Sequence, residues 1–210
     1  MKARAILFSG PMVRALLDGR KTQTRRVVKP QPAGMYRRDY EIRSNPSPFF
    51  VVDGREVHCP YGQPGDLLWV RETSSVRHAR ETCAACDNSD IAGLQARHYC
   101  RAVSYRADKD IDLPWTPGIH MPRWASRLTL RITDVRVQRL WDISEKDAWA
   151  EGVTLVEPAP SYLPYRAAYA RLWTDINGAG SWDWNPLVWA LTFEVIKQNV
   201  DQVLAAKAAA

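Results

Sequence analysis

Lys21 and Thr24 stand in the stretch DGRKTQTRRVVKP, residues 18–30, where Arg20, Lys21, Arg25, Arg26 and Lys29 supply five positive charges. A threonine hydroxyl becomes a nucleophile only when a base takes its proton, and a lysine of lowered pKa is such a base. Arg20, Arg25 and Arg26 would help lower it, because neighbouring positive charge disfavours the ammonium form. On an extended strand, positions 21 and 24 face opposite ways. The pair meets only if the chain turns at Lys21-Thr22. The plain alternative is a solvated basic turn. Arg26 alternates with Arg25 and so shares a face with Thr24. Its guanidinium suits a two-pronged grip on a carbonyl, carboxylate or phosphate, or else a surface salt bridge.

Two carboxylates are candidates to work with this group. Glu151 ends the helical stretch SEKDAWAEG, residues 144–152, next to Gly152. The carbonyl end of a helix repels negative charge, so a glutamate there is poised to act as a general acid or base, unless it is simply exposed. Glu72 ends the strand-like LLWVRE and is a candidate substrate-binding residue, because strand ends at a barrel mouth often face ligands; exposure at a strand end is the alternative. Trp69, His120 and Trp124 carry rings or edges that could stack on a base. In a small domain the same tryptophans serve equally as core.

Cys83 and Cys86 form a C-x2-C half-site, and His98 and Cys100 follow after a gap of eleven residues. That set is a candidate structural zinc site, with Cys59 as a further ligand. The alternative is four reduced thiols. No P-loop, dinucleotide fingerprint, zinc-protease helix or serine-hydrolase elbow is present. No cofactor is therefore required for the chemistry of Lys21, Thr24 and Glu151.

The elements that must hold these residues are short. Residues 3–8 read as a strand. Ser9-Gly10-Pro11 opens a helix whose apolar face is Met12, Val13, Leu16 and Leu17, stopped by Gly19. TRRVVK returns as a strand. Residues 64–73 and 98–107 read as strands. In 126–140, Leu128, Leu130 and Ile132 point one way and Val135 and Val137 continue after a one-residue slip at Thr133-Asp134, as a β-bulge would produce. Ser144 and Asp147 start a short helix. A longer one spans 161–176, with Tyr165, Tyr169, Leu172, Trp173 and Ile176 on its apolar face. LVWALTFEVI, 187–196, closes the sheet. Two insertions, about 30–64 and 74–97, lack periodicity, and an Ala-rich tail, 201–210, is a frayed or disordered helix. Together these predict an α+β fold: a small β-barrel-like sheet with a few packed helices, in one domain over 1–200.

The composition agrees with a globular domain: of 210 residues, 46% are hydrophobic and 25% charged. The net charge of +6 is concentrated at the front, where residues 1–55 hold 12 Lys/Arg against 4 Asp/Glu. That asymmetry suits an anionic partner such as a nucleoside phosphate or single-stranded nucleic acid. No membrane-length apolar run and no signal peptide stand out, so a cytoplasmic protein is expected. Nothing in the sequence sets an oligomeric state.

PMVRALLDGRKTQTRRVVKPQP, CPYGQPGD, IHMPRWASR, ITDVRVQRLWDISEKDAWAEGV and GSWDWNPLVWALTFE, in this order, resemble the ASCH superfamily of small PUA-like β-barrels. The similarity is greatest to the ASCH proteins commonly encoded by bacteriophages and prophages. Some relatives in that superfamily are N4-acetylcytidine amidohydrolases, with a lysine and a threonine in a RKTxT segment and a glutamate in a later short helix. The resemblance thus implies Lys21 as base, Thr24 as nucleophile and Glu151 as acid. The expected substrate is an N-acylated pyrimidine nucleoside or modified base. It equally implies an RNA-binding or single-stranded nucleic-acid-binding module, or a ribonuclease, as the alternative.

Overall fold

The computed structural model of the chain describes residues 1–31, 41–44, 48–52, 55–79, 100–108, 113–155 and 162–209. The chain opens with β1 (Ala3–Leu7), α1 (Gly10–Leu17) and β2 (Gln23–Val27). Then come β3 (Glu41–Ser44), β4 (Pro48–Val52), β5 (Arg55–His58) and β6 (Leu67–Arg71), followed by β7 (Ser74–Ala79) and β8 (Cys100–Tyr105). The last third holds β9 (Thr129–Arg139), α2 (Glu145–Ala150), α3 (Pro164–Asn177), β10 (Leu187–Ile196) and α4 (Val200–Ala208). The fold is mixed α+β, with four α-helices and a main sheet of five strands among the described residues.

The strand order of that sheet is β1-β6-β9-β10-β2. β1 and β6 run parallel; the other pairings are antiparallel. β1 and β2 are its outer strands, and among the described residues no backbone pairing joins them into a closed barrel. β10 divides two cores. Side chains alternate across a strand, so Trp189, Leu191 and Phe193 enter a core with Leu68, Leu130 and Ile132, while Val188 enters a second with Leu140, Tyr169 and Trp173. Both faces of β10 are thus covered over its first half, which explains the apolar run 187–191.

The slip in β9 is where the spacing puts it. Thr192 pairs with Asp134 and Phe193 with Ile132, so Thr133 is the extra residue. Thr133 and Asp134 are both exposed, and burial resumes at Val135. α1 buries Val13, Ala15 and Leu16. Ser144 caps α2 through its side chain, which accepts from the Asp147 amide. Asp147 does not complete a reciprocal cap, because its carboxylate is held by other side chains.

Three expectations are corrected. The stretch 30–64 is not irregular throughout: β3, β4 and β5 form an antiparallel sheet there. The segment 74–97 begins as strand β7, paired with β8; residues 80–97 lie outside the described residues. Ile176, placed on the apolar face of the longer helix, is exposed, at 63%, because that face ends with Trp173.

Candidate functional site: a buried lysine between the outer strands

The chain leaves α1 through Gly19 and meets the end of α2. There Lys21 and Glu151 form a single antiparallel bridge, secured by Lys21 N donating to Ala15 O at 3.0 Å and Thr22 N to Ala150 O at 2.8 Å. This backbone contact sets two side chains 130 residues apart beside each other. Lys21 Nζ donates to Glu151 Oε2 and to the Glu151 carbonyl, each at 2.8 Å. Both side chains are buried, Lys21 at 1% exposure and Glu151 at 3%. Arg25 completes the carboxylate, its Nη1 donating to Oε1 at 3.0 Å. Its Nη2 donates to Asp147 at 3.2 Å, and Asp147 is also held by Gln23 and Arg136. Burial opposes ionisation of Asp147, yet the Gln23 hydrogen bond and the Arg136 and Arg25 charges hold its carboxyl below the usual range.

Burial pushes the Lys21 ammonium below the ordinary lysine value. Glu151 pulls it back up, and Arg26 and Arg25 add to the lowering. Arg20, expected to contribute, is turned away to the Gly152 carbonyl and Asp18. Tyr169 of α3, 4% exposed, sits under the Arg25 guanidinium at 5.9 Å. Burial, then the Glu151 charge, raises its hydroxyl well above the tyrosine range. It is a neutral phenol at any ordinary pH.

Strand parity sorts β2. Lys21, Gln23 and Arg25 turn to α2; Thr24 and Arg26 turn the other way. Arg26 Nη1 donates to Thr24 Oγ1 at 3.2 Å, and Nη2 to the Leu7 carbonyl at 2.8 Å. A side chain of β2 thus bridges to the end of β1. Lys21 and Thr24 nevertheless line one cavity of about 730 Å³, together with Arg25, Arg26 and Glu151. They share it because the cavity is lined from both outer strands, β1 and β2.

Gly152 makes the close approach possible. Its φ is +80°, and a Cβ there would lie 2.8 Å from Lys21 Cβ and 2.9 Å from Ala15 Cβ. Gly152→Ala is expected to cost about 2 kcal/mol from left-handed strain and crowding. Urea unfolding reads this as a lower midpoint at unchanged slope; an unaltered midpoint would show that the backbone there yields freely.

The remaining candidates fall elsewhere. Glu72 is buried, at 1% exposure, in the fork of Arg127, at 2.8 and 3.0 Å. Burial raises its carboxyl, and Arg127 opposes the rise. Trp69 lies half-buried beneath the Arg71 guanidinium at 5.3 Å. His120 and Trp124 are exposed on short 3-10 turns, 118–120 and 123–125. None of these four lines the Lys21 cavity, but their neighbours Arg71, Thr73, Gly118 and Ile119 do. Cys83, Cys86 and His98 lie outside the described residues, and Cys100 is described only as backbone of β8. Among the described residues no group of three or more His, Cys, Asp or Glu could hold a metal. Cys59 is part-buried, and burial raises its thiol to about 11, so it stays largely protonated at neutral pH. No described helix is long and apolar enough to cross a membrane.

Fold and site together define a mixed α+β protein with a half-open, cation-rich pocket at its sheet edge, floored by buried Lys21 and Glu151. Compared with known proteins, the chain matches no family model and no curated protein. Among solved structures, it resembles protein EF3133 from Enterococcus faecalis V583, described as family DUF984. The TM-score is 0.41 at 14% identity, over 95% of this chain and 83% of that one.

Proposed function

We propose that this protein is an amidohydrolase of the ASCH type, acting on an N-acylated pyrimidine nucleoside such as N4-acetylcytidine. The observation that carries the reading is the buried Lys21–Glu151 pair in one cavity with Thr24. A desolvated lysine gives up its proton readily. Neutral Lys21 takes the proton of the Thr24 hydroxyl as Thr24 Oγ1 attacks the acyl carbonyl. Arg26, already donating to that oxygen, favours the alkoxide and holds the substrate oxygen as negative charge forms. Collapse expels the amine of the base, which takes the proton from Lys21. Water then releases the carboxylic acid from Thr24. Glu151 orients Lys21 throughout and balances its charge whenever it carries the proton. Lys21 gives its hydrogen bonds to Glu151 in this state; catalytic contacts commonly tighten only with substrate. The sheet is read as a PUA-like barrel whose seam is spanned by Arg26 rather than by a backbone ladder, and the Arg26–Leu7 bond supports that reading.

The test is conversion of N4-acetylcytidine to cytidine followed by chromatography; no turnover by the wild-type protein sinks the proposal. The pH profile is a second check. The base works deprotonated, so kcat/KM rises with pH. Because burial lowers Lys21, the rise has its midpoint below the ordinary lysine value of 10.5. A profile flat from about pH 6 to 10 would remove Lys21 from the role of base.

A further inference from the structure

The cavity between β1 and β2 holds more positive charge than acyl transfer uses. Lys21, Arg25, Arg26 and Arg71 line it, and Glu151 is the one carboxylate among its described lining residues. Lys21 and Arg25 share Glu151, and Arg25 also has Asp147. Arg26 and Arg71 have no carboxylate partner among the described residues. Arg26 donates to Thr24 Oγ1 and to the Arg25 and Leu7 carbonyls. Arg71 donates to the Ile119 carbonyl, while its buried Nε makes no hydrogen bond. Arg26 is engaged with the Thr24 hydroxyl, so Arg71, with no carboxylate partner among the described residues, leaves a positive field that an anion would answer.

Both reach the end of β1. Arg26 Nη2 lies 2.8 Å from the Leu7 carbonyl, and Leu7 is paired in register with Arg71. The start of α1 opens on the same cavity through Ser9 and Met12. Its first turn holds no acidic residue and no side chain caps it, so the positive end of the helix adds to the same field. At the mouth Leu7 and Ile119, 47% and 55% exposed, offer apolar surface to a flat ring. A volume of about 730 Å³ lies within the range of small-molecule sites.

We propose that Arg71 forms an anion subsite in this cavity, separate from the Thr24–Arg26 pair that handles the acyl group, and that the substrate is a phosphorylated nucleoside, a mononucleotide bearing the acylated base. The acyl group in that description rests on the amidohydrolase reading; the anion subsite does not.

Binding separates the two. Calorimetry with cytidine 5′-monophosphate, cytidine and inorganic phosphate, on wild type and on Arg71→Ala and Arg71→Lys, reads the subsite without any turnover. The monophosphate is expected to bind at least about tenfold tighter than cytidine, the worth of one charge-assisted hydrogen bond. In Arg71→Ala that ratio shrinks toward one. In Arg71→Lys it is partly kept, since charge remains and the planar fork is lost. Equal binding of cytidine and its monophosphate by the wild type overturns the anion subsite, whatever the hydrolysis assay gives. Free phosphate binding as tightly as the monophosphate overturns the nucleotide assignment. So does a short oligocytidylate binding far more tightly than the monophosphate, which would point to a nucleic-acid chain. Monophosphate preference without hydrolysis of its N4-acetyl form supports the subsite and overturns the deacylation.

Discussion

Lys21→Met lowers turnover of N4-acetylcytidine by about 10³-fold, within the range that a positioned general base contributes. Methionine matches the length of the lysine stem and tolerates burial, so the core around Phe8 and Ala15 keeps its packing. Lys21→Arg is the sharper variant. It keeps a cation for Glu151, but a guanidinium stays protonated in proteins. If Lys21 serves only as a buried counter-ion, arginine restores activity. If it serves as the base, arginine leaves the rate as low as methionine does. Near-UV circular dichroism on both variants shows whether the fold is kept. Turnover of Lys21→Met within about tenfold of wild type would remove the base from the mechanism.

Local pattern carried much of this site, and parity and distance hid the rest. The helix stop at Gly19, the strand after it and the short helix ending at Glu151 follow from caps and periodicity. So does the bulge at Thr133, because one extra exposed residue displaces every later side chain by a position. The motif residues Lys21, Thr24 and Glu151 do line one cavity. Their meeting was not legible. It depends on a lone backbone bridge between positions 21 and 151, and on Gly152 leaving room for it. Arg71 faces the cavity, and Glu72, one residue on, faces Arg127. Tyr169 was legible as a buried helix residue, since its spacing matches Trp173. Its place beneath Arg25 comes from the packing of α3 on α2, which no local pattern encodes. Arg25 read as a charge that tunes Lys21; it is also the clamp that fixes Glu151.

Glu151→Gln lowers stability by about 3–5 kcal/mol, because it leaves Lys21 buried without its partner and Arg25 with Asp147 alone. The amide keeps the shape and one acceptor oxygen, so the loss reports charge rather than volume. Urea unfolding measures it as a lower midpoint. The double variant Lys21→Met/Glu151→Gln separates a buried pair from two independent residues. Removing Lys21 from the Glu151→Gln protein relieves the uncompensated ammonium, so the double variant is less destabilised than the sum of the singles by about 1–3 kcal/mol. Additive losses would mean that water or a shift of the chain already neutralises Lys21 when Glu151 is gone. Such a lysine would need no buried carboxylate to hold it. The coupling therefore bears on catalysis as well as on folding: a base kept dry enough to release its proton stays buried only while Glu151 balances its charged form.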